Sequence, residues 1–480
     1  MRSIRAVPVL AAAAAVAAWL PFLDDPLTPD EGGFLLLGQH WSPGTSLYGD
    51  YWVDRPPLII WLFSILGHAP SAVKALGMTA AILAVLLSGV LARQVSPSSR
   101  WAACATPVLA LALVCSPLLG MPETDGELVA LPFVLAGLIC TISALRPRTS
   151  RQALASAVAA GVFAMAAALV KQNIIDVFVF AVAAFVVARS GIDRPMRRAV
   201  LFTGGSIATL AIVVGAAAIR GTSPAELWDA VVTFRFQAWG VIDASTPERT
   251  PGRMIHVGLA FLACGAAPIL ATTLWTPLSR RIRGRLDPNV LHLVAPAVIT
   301  AVWEVVAAAL GGSYWLHYLI GLVPGLLLLT ALAGPAVKPR SLLTGFVALA
   351  VVVNGFGWTY RQADPMLQLH DERVAGYLHR HARPSDGVVV AFGHPNIVLA
   401  SGLHSPYPDV WLLPARVHDP DLKRFRQVIS GPSAPQWVVI AADSLDDWGR
   451  QGRAAQRYAD RRYVHRRTFG HWDIAELRHQ

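Results

Sequence analysis

The chain has 480 residues, of which 54% are hydrophobic and only 15% are charged, and its mean hydropathy is +0.49. This composition excludes an ordinary soluble protein and indicates an integral membrane protein. The net charge of +10 favours contact with anionic lipid head groups and gives no reason to expect nucleic-acid binding.

Long apolar segments predict a polytopic α-helical membrane protein, since one span needs about 20 mainly apolar residues. We count about eleven transmembrane helices, at residues 6–23, 70–92, 101–119, 127–145, 152–170, 173–189, 199–219, 256–275, 289–310, 317–333 and 341–359. The first segment has the alternative interpretation of a signal peptide, although its apolar run extends through Leu23. Pro56–Gly67 is short for a span, and we interpret it as an interfacial or re-entrant helix.

The basic residues predict the orientation. With the N-terminus in the cytoplasm, seventeen Lys and Arg side chains fall at inner span ends and seven in outer connections. Counting Pro56–Gly67 as a span would move the cluster Arg280–Arg285 outside. We therefore predict a multi-pass protein of the cell (cytoplasmic) membrane, with a transmembrane core at residues 1–360 and an extracytoplasmic domain at residues 361–480.

The tail has the pattern of a small α/β domain. Asp371–His381 favours a helix, and Val388–Phe392 and Trp437–Ala442 are typical of buried strands. Tyr463–Leu477 can supply one or two more strands. Nine of the fourteen histidines lie in this region without metal-ligand spacing, so we interpret them as surface or structural residues.

The first outer loop, at about residues 24–69, carries the acidic pair Asp30-Glu31. A carboxylate at the membrane surface can take a proton from an acceptor hydroxyl or amine, or bind a cation. The alternative is structural: Asp30 caps a helix over residues 31–41, and Glu31 complements the helix dipole.

The same loop has an amphipathic stretch and a rigid basic motif. Phe34, Leu37 and Trp41 occur at helical spacing, which predicts a short helix on the membrane surface. In Asp54-Arg55-Pro56-Pro57, the prolines suit the first turn of a helix. Arg55 then lies at head-group depth, where it can either bind a phosphate or simply extend to the interface.

Three more polar clusters recur at outer span ends. They are Glu123, Asp125 and Glu127; Lys171, Gln172, Asn173 and Asp176; and His317 with Tyr318. Together they place ionisable groups of both signs around one outer-facing cavity, an arrangement that is costly unless the groups are paired or functional.

The order of these motifs resembles that in the GT-C glycosyltransferases. The shared pattern is an acidic pair after the first span, D-[RK]-P-P-L, an acidic cluster after span three, a lysine after span five, and H-Y-L-x-x-x-x-P from His317 to Pro324. Within that superfamily, the chain is most similar to the bacterial protein-O-mannosyltransferase-like and lipid A aminoarabinose transferase group. The resemblance covers most of residues 1–335, and the tail looks like the outer domain of many such proteins.

The resemblance implies a polyprenyl-phosphate-linked sugar as donor, a cell-envelope acceptor, membrane lipids as surroundings, and no nucleotide sugar. Asp30 would be the base that activates the acceptor, and Glu31 would assist it. Arg55 stands where the family usually has a lysine facing the lipid phosphate. The other implied donor-binding residues are Asp54, Glu123, Asp125, Lys171, Gln172, His317 and Tyr318. Asp54 and His317 are candidates for a divalent metal ion, which some relatives do not need.

The sequence thus predicts an inverting glycosyltransferase that uses a polyprenyl phosphosugar. A transporter or lipid-linked-sugar flippase would instead place functional charges deep in the spans. The span interiors are nearly free of charge, with Glu304 as the main exception. A third interpretation is a catalytically silent scaffold for the outer domain.

Overall fold

A computed structural model of the protein describes residues 2–145, 150–188, 194–245, 249–282, 288–333, 340–363, 369–441, 445 and 448–478. The helices up to residue 363 are α1 (Arg2–Trp19), α2 (Pro29–His40), α3 (Pro57–Ser64), α4 (Pro70–Val95), α5 (Arg100–Val114), α6 (Gly126–Ala144), α7 (Ser150–Val170), α8 (Asp176–Ala188), α9 (Pro195–Ile219), α10 (Pro224–Trp228), α11 (Phe234–Ser245), α12 (Arg249–Ala263), α13 (Ala266–Ile282), α14 (Pro288–Ala309), α15 (Val323–Ala333) and α16 (Arg340–Ala363).

Within the described residues, eight helices are long and apolar enough to cross a membrane. They lie at Arg5–Phe22, Pro70–Val95, Gly126–Ala144, Arg151–Val170, Pro195–Ile219, His292–Ala309, Leu316–Ala333 and Leu342–Ala363. The helices α12 and α13, bent by 62° at their junction, form a ninth if the pair is one broken span. The chain is therefore a multi-span membrane protein.

Two of the predicted spans coincide with shorter apolar helices, α5 and α8. The count of eleven spans consequently stays a prediction. The cluster Arg280–Arg285, on which the predicted orientation depends, lies partly outside the described residues, and the orientation also stays a prediction. The eight-residue helix α3 is about 12 Å long, too short for a hydrocarbon core of about 30 Å.

The first compact unit comprises Met1–Leu23, Lys74–Val213 and Thr250–Asp364. In it, α6 packs against α7, and α8 packs against α14. The helix α15 contacts α5, α13 and α14 and is buried along its whole length. Glycine allows a close approach of two helices. A Cβ at Gly161 would lie 1.9 Å from the carbonyl oxygen of Phe202, so only glycine fits between α7 and α9.

The second compact unit comprises Asp24–Val73, Val214–Arg249 and Pro365–Gln480. The first outer loop therefore groups with the tail, whereas the sequence placed it with residues 1–360. The tail elements are α17 (Leu369–His381), β1 (Val388–Ala391), α18 (Pro395–Ser401), α19 (Leu412–His418), α20 (Lys423–Ser430), β2 (Trp437–Ala441), α21 (Gly449–Arg462), β3 (Tyr463–Phe469) and β4 (Trp472–Leu477).

The four strands of the second unit form one mixed sheet in the order β1-β2-β4-β3. β1 and β2 are parallel with Val388 opposite Trp437, and β4 is antiparallel to both of its neighbours. The apolar runs that predicted strands are buried throughout β1 and β2, because the sheet packs on a core that includes Phe392, Phe425 and Tyr463. The predicted small α/β domain is confirmed.

Asp30 does not cap α2, so the structural alternative from the sequence was wrong in this detail. The helix begins at Pro29, and its N-cap is Thr28. The Thr28 hydroxyl accepts a hydrogen bond from the Glu31 backbone N–H, and the Glu31 carboxylate accepts one from the Thr28 backbone N–H at 2.9 Å. This reciprocal capping box leaves Asp30 one position inside the helix.

The apolar face of α2 packs within the second unit, which corrects the prediction of a helix lying on the membrane surface. Phe34, Leu37 and Trp41 are all buried. The helix contacts α3 and α18, and the Phe34 ring lies 5.4 Å from Phe63. The sequence pattern located an apolar face correctly, but it contained nothing to show that the distant tail would cover it.

Two consecutive glycines bring α2 against the tail. A Cβ at Gly32 would lie 2.5 Å from Asn396 Cα, and one at Gly33 would lie 2.1 Å from Trp411 Cζ2. We expect Gly33→Ala to displace Trp411 and to lower the free energy of unfolding by about 1–3 kcal/mol. Denaturant unfolding of the detergent-solubilised protein measures this change. Gly240→Ala, in an uncrowded helical position, is the matched control and should be neutral or stabilising; equal effects of the two variants would contradict the prediction.

Candidate active site

The predicted base, Asp30, lies half-buried in the first turn of α2. The indole N–H of Trp411 donates a hydrogen bond to Asp30 Oδ1 at 2.9 Å. The Trp411 ring also packs against Phe34, with ring centroids 6.0 Å apart. The helix N-terminus and the indole N–H both stabilise a charged carboxylate. A charged, positioned carboxylate is the state that can accept a proton.

Glu31 differs from Asp30 in being fully buried and in forming the capping box with Thr28. Its position therefore explains how α2 begins. The assisting role that the resemblance gives to Glu31 stays a prediction.

Asp54 lies between two guanidinium groups. Its Oδ1 is 2.6 Å from Arg55 Nη1, and its Oδ2 is 2.5 Å from Arg235 Nη2 on α11. The Arg55 guanidinium also lies 5.8 Å from the centre of the Phe34 ring, which ties this group to the helix of Asp30. The three charged groups carry a net charge of about +1, which suits a phosphate ligand.

In the first unit, the structure brings Glu123, Asp125 and His317 together. His317 Nδ1 lies 3.6 Å from Glu123 Oε2 and 3.9 Å from Asp125 Oδ2. Asp125 is also the N-cap of α6, since its Oδ1 accepts a hydrogen bond from the Leu128 backbone N–H at 2.8 Å. Burial raises the pKa of the Asp125 carboxyl well above its usual range, and His317 opposes this shift.

Close packing at Gly120 permits this cluster. The residue has a φ of +102°, and a Cβ there would lie 3.1 Å from His317 Cβ. Glycine is therefore favoured both by this backbone conformation and by the close approach of His317 Cβ.

Lys171 is paired with the third acidic residue of the sequence cluster, Glu127. Its Nζ forms a buried ion pair with Glu127 Oε1 and lies 5.0 Å from the centre of the Tyr318 ring. Gln172 follows it and is half-buried. Five of the predicted site residues therefore form one network of contacts in the first unit: Glu123, Asp125, Lys171, His317 and Tyr318.

Three residues that contact the candidate site residues or their neighbours were not predicted from the sequence. Lys74 is fully buried and donates a hydrogen bond to the Pro122 carbonyl oxygen at 3.1 Å, next to Glu123. Arg235 and Trp411 contact Asp54 and Asp30. A lysine inside the predicted apolar span 70–92 is a signal that could have identified Lys74, whereas no local pattern distinguishes Arg235 or Trp411.

Glu304, the charged exception within the spans, is held by backbone and side-chain contacts. Both of its carboxylate oxygens accept the Gly325 backbone N–H, at 2.8 and 3.0 Å. It also shares a hydrogen bond with Asp176. Both carboxyls line a small cavity of about 30 Å³, together with Glu127 and Tyr318. Glu304 therefore belongs to a buried polar network.

The described residues contain one group of at least three side chains with the geometry to hold a metal ion. The ligand atoms of Glu123, Asp125 and His317 all lie within 4.8 Å of one another. Two carboxylates and an imidazole suit a divalent ion such as Mn²⁺ or Zn²⁺. Two guanidinium groups already pair with the Asp54 carboxylate. Asp54 is therefore a weaker candidate for a metal ligand than His317.

A third polar centre, at Asp371, stabilises the tail. Asp371 Oδ2 lies 2.8 Å from His394 Nδ1 and accepts from Asn396 at 2.9 Å, while Oδ1 accepts from Trp472 at 2.8 Å. Burial opposes the charged form, but the contacts with His394, Asn396 and Trp472 outweigh it and lower the pKa of this carboxyl.

This lowered pKa predicts acid sensitivity of the tail. The stabilisation is fully present above the unfolded-state pKa, about 3.9, and is lost as the pH falls through the lower folded-state pKa. Asp371→Asn should weaken the tail at neutral pH and flatten its acid transition, measured by hydrogen exchange of β4 and by acid titration of near-ultraviolet circular dichroism. Asp421→Asn, at an exposed position, is the control; an unchanged acid transition in Asp371→Asn would contradict the prediction.

These features define a multi-span membrane protein with buried ionisable groups gathered at helix ends in both units. No protein-family model matches the chain, and no curated protein matches it by sequence. Solved structures do match. ArnT from Cupriavidus metallidurans in the apo state has a TM-score of 0.67 at 15% identity, with 97% of each chain covered.

The same ArnT bound to undecaprenyl phosphate matches with a TM-score of 0.66 at 14% identity, again over 97% of each chain. The apo oligosaccharyltransferase of Archaeoglobus fulgidus matches with a TM-score of 0.60 at 13% identity, over 96% of this chain and 73% of that one. At these identities the likeness shows the fold. The chain has the fold of the GT-C glycosyltransferases.

Proposed function

We propose that the protein is an inverting glycosyltransferase, which transfers a sugar from a polyprenyl-phosphate-linked donor to an acceptor in the cell envelope. The observation that carries the proposal is the match over 97% of both chains with ArnT, whose structure was solved with bound undecaprenyl phosphate. The positioned carboxylate of Asp30 and the paired guanidinium groups of Arg55 and Arg235 support it.

In the proposed reaction, the acceptor oxygen or nitrogen loses its proton to the Asp30 carboxylate. The acceptor atom forms a bond to the anomeric carbon of the sugar. The bond between that carbon and the phosphate oxygen breaks, and its electron pair leaves with the polyprenyl phosphate. Attack opposite to the leaving group inverts the anomeric configuration.

The leaving phosphate gains negative charge, so catalysis requires cations that face it. Arg55 and Arg235 can both form forked hydrogen bonds with a phosphate, in exchange for their present contact with Asp54. Arg55 replaces the family's usual lysine, and the guanidinium geometry provides two donors where an ammonium provides a point charge.

The first unit also contains residues that could stabilise the charge of a phosphate group. A divalent ion, if one is used, would be held by Glu123, Asp125 and His317 and would supply positive charge to a phosphate group bound in the first unit. Lys171 would offset phosphate charge in the same way, after exchanging its contact with Glu127. Both roles are proposals that follow from the resemblance.

The purified protein is incubated with a panel of polyprenyl phosphosugars to test this proposal. Turnover is measured as the release of polyprenyl phosphate. We expect one donor to be consumed with formation of a glycosylated acceptor. Movement of lipid-linked sugar across proteoliposomes without any covalent product would instead support the flippase alternative, and no turnover with any donor in the panel would argue for a silent scaffold.

A further inference from the structure

A cavity of about 260 Å³ opens in the tail of the second unit. Its inner wall is formed by Ile440 and Ala441 at the carboxyl end of β2, and α21 lines one side. In open α/β sheets, the carboxyl ends of parallel strands are the usual place for a ligand, and β2 is parallel to β1. The volume is slightly below the range of about 300–1,000 Å³ of drug-sized pockets, so it suits one sugar-sized molecule.

The first turn of α21 packs closely against the chain segment at Leu445. A Cβ at Gly452 would lie 1.7 Å from the carbonyl oxygen of Leu445, so only glycine allows the helix to pack on the preceding turn. Both residues line the cavity. The packing therefore fixes the position of the helix beside the strand end.

The polar side chains of the cavity favour an anion. Arg453 and Arg457 lie one helical turn apart, and both are exposed. Among the residues that the structure describes, no carboxylate forms an ion pair with either arginine. A guanidinium group binds phosphate or carboxylate through forked hydrogen bonds.

Two further side chains suit hydroxyl groups. Gln456 lies on α21 between the two arginines and offers both a donor and an acceptor. Asp473, a residue of β4, also lines the cavity, and its Oδ1 accepts a hydrogen bond from the Thr468 hydroxyl at 2.6 Å. The lining thus combines anion-binding and hydroxyl-binding groups.

We propose that this cavity binds a sugar-sized molecule that carries a phosphate or carboxylate group. Arg453 and Arg457 bind the anionic group, and Gln456 and Asp473 bind hydroxyls. The proposal does not depend on Asp30 or on sugar transfer, so the two can fail separately.

Calorimetric titration of the purified full-length protein tests the proposal, with glucose 6-phosphate, glucuronate, glucose and inorganic phosphate as probes. We expect at least one anionic sugar to bind, and glucose and inorganic phosphate to bind about tenfold more weakly or not at all. The anionic sugar that binds more tightly identifies the preferred group. The double variant R453Q/R457Q should raise Kd about tenfold or more.

The matched control is R450Q/R461Q, which removes two exposed arginines of the same helix that do not line the cavity. It should leave Kd unchanged. Equal loss in the two double variants would show only diffuse attraction to a basic helix and would overturn the proposal. Absence of binding by both anionic sugars, or equal binding of inorganic phosphate and glucose 6-phosphate, would also overturn it.

Discussion

Replacement of Asp30 by asparagine is expected to slow sugar transfer by about 10²–10⁴-fold, the contribution of a general base. The amide keeps the size of the carboxylate, and its oxygen can still accept the hydrogen bond from Trp411. The variant should therefore insert and fold normally while losing the proton acceptor. Initial rates of product formation from the polyprenyl phosphosugar measure the effect.

Asp50→Asn is the matched control for this variant. Asp50 is an exposed acidic residue of the same outer loop, and its replacement should leave turnover close to that of the wild type. Donor binding should also survive in Asp30→Asn, since the proposed phosphate contacts come from Arg55 and Arg235. Turnover of Asp30→Asn at the wild-type rate would remove Asp30 from the mechanism.

The second large effect is expected at the buried ion pair between Lys171 and Glu127. Lys171→Met removes the cation and leaves the Glu127 carboxylate buried without this partner, which should cost about 3–5 kcal/mol of stability. Thermal unfolding in detergent should show a markedly lower Tm. The double variant Lys171→Met/Glu127→Gln removes both charges and should regain most of the loss.

The double variant also separates a structural from a chemical role of Lys171. If Lys171 stabilises charge on the leaving phosphate, the restored protein should still turn over donor about 10²–10³-fold more slowly than the wild type. A double variant that is as unstable as Lys171→Met would contradict the ion-pair argument. Wild-type turnover in a stable double variant would limit Lys171 to a structural role.

The sequence predicted well those elements that depend on local composition. Apolar length alone indicates a span, and described apolar helices occur at each predicted position. Val388–Ala391 and Trp437–Ala441 were recognisable as buried strands because β-branched and aromatic residues follow one another. The spacing of Thr28 and Glu31 also fits a capping box, which is the cap that α2 has, whereas the sequence interpretation placed the cap at Asp30.

Contacts between distant positions could not be predicted. Trp411 donates to Asp30 across 381 positions, and no periodicity or motif encodes that pairing. No local pattern predicts the ion pair between Arg235 and Asp54 either, or the packing of α18 against α2. The sequence identified which residues carry charge at span ends, but the partners that fix their geometry come from tertiary packing.

Mass spectrometry of membrane lipids and envelope glycans tests the proposed sugar transfer in cells that carry either the wild-type chain or Asp30→Asn. We expect the variant cells to lack one sugar on one envelope acceptor and to accumulate the corresponding polyprenyl phosphosugar. The missing mass identifies the sugar and the acceptor together. Identical glycan and lipid profiles in the two strains, with the variant present in the membrane at the wild-type level, would contradict sugar transfer with Asp30 as the base.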